Sequence, residues 1–199
     1  YHKILLDKHR EFRDYCPTLL KYDLNYLKYA KKPEILNCVK QVIGPNLAVW
    51  NQSFFAKPGI NGKATPWHQD GQYWPIRPLA TCTVWLAVDD ANKENGCLKY
   101  MPGSHKRKTT RKHSTDNSGN YTLNQEIDPS EYDEKDAYHL CLESGQMALH
   151  DVFIIHGSGT NTSPHSRRGM TMRYMPTSST FDRKLAQDQA EKFKLDHQH

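Results

Sequence analysis

The chain has too few cysteines in useful places to be held together by them. There are five, an odd number, and no two stand in C-x-x-C spacing. That excludes a disulfide framework or a cysteine zinc site and points to reduced thiols in a cytoplasmic protein. A long apolar run is missing too, so no segment reads as a membrane span. The first residues lack the apolar stretch followed by small residues that marks a secretory leader, and Tyr1 in place of Met suggests part of a longer product. No internal repeat is visible. A concentrated basic face is absent as well. The net charge is +5, but the lysines and arginines are scattered, with one cluster at Lys106, Arg107, Lys108, Arg111 and Lys112. Such clusters are usually solvated loops, and nucleic-acid binding is not expected. An anionic small substrate accounts for the charge equally well.

What is present suggests one domain over 1–199, since 199 residues can bury a proper core. Residues 1–45 read as a helical N-terminal part. The clearest element is Pro33–Ile43, where Ile35, Cys38, Val39, Val42 and Ile43 form one apolar helix face between an N-terminal proline and Gly44. Residues 46–176 read as β. Strands are predicted at Leu47–Phe55, Thr81–Val88 and Cys97–Met101, the last two pairing across the Asn95-Gly96 turn. Further strands are predicted at Tyr138–Leu142, Met147–Leu149, Val152–Ile155 and Met170–Tyr174. Residues 106–136 read as a polar excursion without strands, and 177–199 as a polar tail, helical or loose. Many short strands behind a helix predict a mostly β fold, a jelly roll with flanking helices.

The chemistry concentrates on a few residues. His68 and Asp70 are two apart, so an extended segment points both to one side. Alone this means little, because eleven histidines supply roughly one such pair by chance. His156, expected at the end of the apolar Val152–Ile155 strand, adds a second imidazole. Two histidines and a carboxylate on a β scaffold match the facial triad of non-haem Fe(II) oxygenases, which leaves three coordination positions open. His105, His150 and His165 are rival ligands. His150 is adjacent to Asp151 rather than two away, so on a strand the pair would diverge. Arg167, eleven residues past His156, suits the distal carboxylate of a 2-oxo acid, because its planar fork grips a carboxylate and keeps its charge. Arg168 and Arg173 are alternatives.

Several segments together resemble the phytanoyl-CoA dioxygenase family. These are Trp67-His68-Gln69-Asp70-Gly71-Gln72-Tyr73-Trp74-Pro75, the strand ending at Ala91, Glu94-Asn95-Gly96-Cys97-Leu98, Met101-Pro102-Gly103-Ser104-His105-Lys106, and His156-Gly157-Ser158-Gly159 through Arg167-Arg168. The resemblance covers about 33–176. It implies a double-stranded β-helix of cupin type, Fe(II) on His68, Asp70 and His156, and 2-oxoglutarate and O₂ as co-substrates. It also implies that Arg167 holds the distal carboxylate with Ser158 beside it, and that Trp85 and Ser53 line the co-substrate pocket. Relatives carry a lysine on the co-substrate, for which Lys21 is a loose counterpart. Related halogenases have a small residue where this chain has Asp70, so hydroxylation of a small organic molecule is favoured over halogenation. Desaturation, epimerisation, ring formation, or a ligand-binding jelly roll without turnover are the other outcomes. Tyr73, Trp74 and Arg77 are expected near the substrate entrance.

Overall fold

The computed structural model describes residues 15, 16 and 18–193; the predicted helical character of 1–14 and the end of the tail lie outside them. Helices α1 (Leu19–Tyr22), α2 (Leu27–Ala30) and α3 (Pro33–Ile43) precede the β region, and α4 (Arg183–Phe193) follows it. The strands are β1 (Tyr15–Cys16), β2 (Leu47–Lys57), β3 (Thr65–His68), β4 (Ile76–Arg77), β5 (Cys82–Ala87), β6 (Leu98–Tyr100) and β7 (His113–Thr115). They continue with β8 (Gln125–Ile127), β9 (Tyr138–Leu140), β10 (Met147–Asp151), β11 (His156–Ser158), β12 (Arg167–Pro176) and β13 (Thr180–Phe181). A five-stranded sheet in the order β1-β2-β12-β5-β10 faces a four-stranded sheet in the order β3-β11-β6-β9. All their pairings are antiparallel. This is the double-stranded β-helix.

Strand alternation explains why the core and the site share the same strands. On β12, Met170, Met172 and Tyr174 point outward and are buried under the helices. Arg167, Thr171 and Arg173, one step out of phase, point inward. Helix α3 closes the outer face with Ile35, Leu36, Val39 and Ile43 against Cys82, Val84, Met172 and Tyr174. Each such aliphatic side chain contributes roughly 1.5–3 kcal/mol on burial. The Tyr174 hydroxyl donates to the Ala30 carbonyl at 2.9 Å and ties α2 to the sheet.

Pro33 does start α3 and Gly44 does follow it. The apolar face is rotated slightly from the predicted one: Leu36 packs inward, and Val42 is exposed. Four predictions fail elsewhere. Val152–Ile155 is not a strand but a buried turn, so His156 begins β11 rather than ending a strand. Apolarity marks burial there, and a turn buried between two sheets is as apolar as a strand. Cys97–Met101 shortens to β6 and does not pair with β5. It crosses to the other sheet and lies between β11 and β9. Asn92 and Asn95 exchange side chain-to-backbone bonds that turn the chain between the sheets. Tyr15–Cys16 is an edge strand, not helix. The polar excursion contains the β7–β8 hairpin, and its Ile127 is fully buried against Trp67, Met101 and Ile155. The start of the tail is helical, as α4.

Candidate metal and anion site

Strand β3 carries His68 and strand β11 carries His156, paired directly opposite each other. Their rings stack obliquely with centroids 4.1 Å apart. Gln69 keeps the chain extended, and Asp70 opens a short 3-10 turn, so its carboxylate still emerges on the side of His68. One ligand atom from each of His68, Asp70 and His156 lies within 4.8 Å of the others, and all three residues are buried. Nε2 of His68 is 3.7 Å and Nε2 of His156 is 3.9 Å from the same oxygen, Asp70 Oδ1.

The tautomers follow from the backbone. His68 Nδ1 lies 2.8 Å from the Pro66 carbonyl, and His156 Nδ1 lies 3.1 Å from the Ile154 carbonyl. A carbonyl only accepts, so each Nδ1 carries a proton, and in the neutral ring each Nε2 presents its lone pair toward Asp70. Burial, with His68 and His150 nearby, also holds the His156 imidazolium well below its usual pKa, so the ring is neutral. Burial opposes ionisation of Asp70. His150, His68, His156 and Arg173 outweigh it and hold the carboxyl well below the usual range. Thr83 donates to Asp70 Oδ2 at 3.3 Å, which leaves Oδ1 to the histidines. Two lone-pair nitrogens and one anionic oxygen, converging and buried, fit a divalent first-row metal.

His150, expected to diverge from its neighbour, is brought to this cluster by β10. Its Nε2 is 3.5 Å from Asp70 Oδ2 and has no hydrogen-bond partner, while its Nδ1 meets the Tyr100 hydroxyl at 2.8 Å. No carbonyl fixes its tautomer, in contrast to the other two. The sequence offered it only as one of three rival ligands, because its placement depends on the β10–β5 register, which sets His150 opposite Thr83.

The cleft beside the triad holds about 400 Å³ of empty space, part of it open to solvent, and is lined on one side by Arg167, Trp85, Thr171 and Arg173. Arg167 is 1% exposed. Its Nη1 donates to the Phe55 carbonyl at 3.2 Å and its Nη2 to the Gly96 carbonyl at 3.0 Å, while Nε has no partner. No carboxylate within ion-pair distance compensates it among the described residues. Burial lowers its pKa to about 10, still leaving it charged at neutral pH. Its guanidinium carbon sits 5.4 Å from the Trp85 ring centroid, and the buried Trp85 Nε1 also lacks a partner. The Trp85 ring lies across Gly169, where an added Cβ would come within 2.1 Å of it. A buried cation and a buried N–H without partners, beside three metal-type donors, suit a ligand that brings its own carboxylate.

Of the other residues singled out in the sequence, Ser158 lines the same cleft. Ser53 does not. It is fully buried and accepts from Arg173 Nη1 at 2.7 Å. Arg168 points away and forms a two-pronged pair with Asp89. Lys21 is exposed on α1. Trp74 is buried against Trp50 and Arg173, and Arg77 is exposed, folded back on the Trp74 and Ile76 carbonyls. Gln69, between two triad residues, proves to be an anchor. Its side chain bonds the carbonyls of Thr109 and Phe153 and accepts from the Arg111 amide, and its own amide donates to His113 Nε2. It pins the polar excursion to the triad.

A double-stranded β-helix carrying a His-x-Asp…His cluster has the donor set of the two-histidine, one-carboxylate facial triad. The chain belongs to the phytanoyl-CoA dioxygenase (PhyH) family, whose sequence model matches residues 2–169. It is 32% identical over 167 residues to "Phytanoyl-CoA dioxygenase domain-containing protein 1" of Danio rerio, covering 82% of this chain and 57% of that protein. The chain spans about half the length of the curated relatives it matches. Among solved structures it resembles the apo form of the non-haem monooxygenase ThoJ, with 28% identity, a TM-score of 0.66, and coverage of 75% of this chain and 54% of that one. Micromonospora carbonacea EvdO2, solved with 2-oxoglutarate, shares the fold at 24% identity and a TM-score of 0.67, over 84% of this chain and 68% of EvdO2. No helix among the described residues is long and apolar enough to cross a membrane.

Proposed function

We propose that the chain is the catalytic part of an Fe(II)- and 2-oxoglutarate-dependent dioxygenase that hydroxylates a small organic substrate, with release of succinate and CO₂. The observation that carries this reading is the paired tautomer lock: two backbone carbonyls fix His68 and His156 so that both Nε2 lone pairs face Asp70 Oδ1. Bound by these three residues, iron would supply neighbouring open positions for a chelating 2-oxo acid and for O₂. The chain's own part is to keep the His156 imidazole neutral, to turn both Nε2 atoms toward Asp70, and to hold one Asp70 oxygen aside through Thr83. Arg167 grips the distal carboxylate of 2-oxoglutarate, with Ser158 and the Trp85 indole beside it. Phe55, Leu98 and Trp85 line the cleft with apolar surface, which limits water around the reacting groups. Ser53 serves by holding Arg173. We place the protein in a reducing compartment, the cytoplasm, on the strength of five unpaired cysteines.

Anaerobic addition of Fe(II) and 2-oxoglutarate is expected to give a visible charge-transfer band that His68→Ala abolishes. Absence of the band from the intact protein refutes the reading. Succinate release above the uncoupled rate, scored across a metabolite panel, identifies the substrate.

A further inference from the structure

The cleft contains a second buried arginine that the proposed chemistry leaves unused. Arg173 lies on the same inward row of β12 as Arg167, six residues on. That is roughly 20 Å along an extended strand, so the two side chains serve opposite ends of one cleft. It is 6% exposed. Nη1 donates to Ser53 Oγ at 2.7 Å, and Ser53 in turn is 3.1 Å from Asn51 Oδ1. The guanidinium carbon sits 5.3 Å from the Trp74 ring centroid and 5.9 Å from that of Phe55. Nε is buried without a hydrogen-bond partner. Asp70 feels its charge, yet no carboxylate lies within ion-pair distance of it among the described residues. The side chain is thus fixed by a hydroxyl and two rings, and part of its fork is left unsatisfied in the cleft.

Charge counting makes that fork informative. If Asp70 meets a divalent metal and Arg167 meets a 2-oxoglutarate dianion, at least one positive charge, that of Arg173, remains uncompensated in a buried site. An isolated buried cation is strongly unfavourable unless an anion joins it. A planar guanidinium held between aromatic rings is preorganised for a carboxylate. We propose that Arg173 is the substrate anchor, and that the molecule this protein oxidises carries a carboxylate which Arg173 binds across the cleft from the co-substrate. The proposal rests on the oxygenase reading for the word "oxidises", but the anion subsite stands on the geometry of Arg173 alone.

The test therefore reads binding in both loaded and unloaded protein. Hexanoate and benzoate are compared with hexanamide and benzamide by ligand-observed NMR, first without metal in Arg167→Gln, then with Zn(II) and saturating 2-oxoglutarate in the unaltered chain. At least one acid is expected to bind ten-fold or more tightly than its amide in both settings. Arg173→Gln should erase that preference and Arg173→Lys should restore part of it, while 2-oxoglutarate affinity follows Arg167 rather than Arg173. Equal binding of acids and amides by the unaltered chain overturns the proposal, with no variant needed. So does a loss of 2-oxoglutarate affinity in Arg173→Gln equal to that in Arg167→Gln. If 2-oxoglutarate and metal fail to load but the acid preference in Arg167→Gln persists, the oxygenase reading fails and the subsite stands.

Discussion

The two sheets that enclose the cleft hold their functional groups in different ways. In the four-stranded sheet the strands beside the triad are short, and each ring is set by its own neighbourhood. His68 bonds the carbonyl two residues before it, and so does His156. His113, in the excursion that covers this side, repeats the arrangement with the Arg111 carbonyl. In the five-stranded sheet β2 and β12 are long, and nothing local fixes the groups. Arg167 reaches the carbonyls of Phe55 and Gly96, and Arg173 reaches Ser53, 120 positions earlier. The orientation of the two imidazoles is thus set by local contacts, and the cationic wall by long-range register. The contrast teaches that a donor cluster and an anion wall in one cleft can be disrupted separately.

The largest expected effect exploits that separation. Arg167→Gln should weaken 2-oxoglutarate binding by about 2–5 kcal/mol, the cost of breaking a buried charge pair, and leave Fe(II) affinity nearly unchanged. Asp70→Ala should lose Fe(II) by more than the roughly 10–100-fold typical of a lost supporting partner, and should weaken 2-oxoglutarate only through the lost metal that it chelates. Isothermal titration of each ligand separates the two, and an Fe(II) loss in Arg167→Gln equal to that in Asp70→Ala would break the comparison.

Gly169→Ala tests the wall through register alone, since the new Cβ would fall 2.1 Å from Trp85 Cζ2. Pushing that indole aside should cost about 1–3 kcal/mol of stability, a fall of several degrees in Tm, and weaken 2-oxoglutarate binding. Thermal denaturation with and without the co-substrate reads both.

Acid should act first on the histidine side. His156 has a folded pKa depressed well below its ordinary 6.5, and burial lowers that of His113 to about 4. Below pH 6.5 the unfolded chain takes up protons that the folded chain refuses, so the stability of the metal-free protein should fall with pH. The slope is about 1.4 kcal/mol per pH unit for each such proton. Asp70 adds its own loss only below its ordinary 3.8. Urea titrations between pH 7 and 4 should show the slope drop by about one proton in His156→Gln. An unchanged slope would mean the imidazole is not held neutral.

The smallest effect is expected from Thr83→Val, which removes the hydroxyl donated to Asp70 Oδ2 from across the sheets. About 1 kcal/mol of Fe(II) affinity should go, read by metal titration, with 2-oxoglutarate binding to the loaded protein little altered.

How far the sequence reached follows the same division. Helix α3 was legible because its period and its flanking Pro33 and Gly44 are local. His68 and Asp70 were legible because two-residue spacing on an extended chain is geometry by itself. Arg167 was legible as one of three arginines suited to a 2-oxo acid, Trp85 came from resemblance, and the fold brings both to the cleft. Val152–Ile155 misled because apolar composition reports burial and not backbone conformation. The partner of β6 was misplaced because a plausible turn, Asn95-Gly96, here carries the chain from one sheet to the other. Ser53 was expected on the co-substrate and instead stands behind Arg173.

By itself the sequence determined the local things: one capped helix, the alternation of β12, and a histidine and carboxylate pointing the same way. Those depend on neighbours within a few residues, whose geometry is nearly fixed by bond lengths and sterics. Only the tertiary structure decided which histidine joins them, that His150 stands beside Asp70, and that two arginines face one cleft without counter-ions among the described residues. Pairing between distant strands sets those positions, and a shift of one residue in any of them would turn the same side chains to the other face.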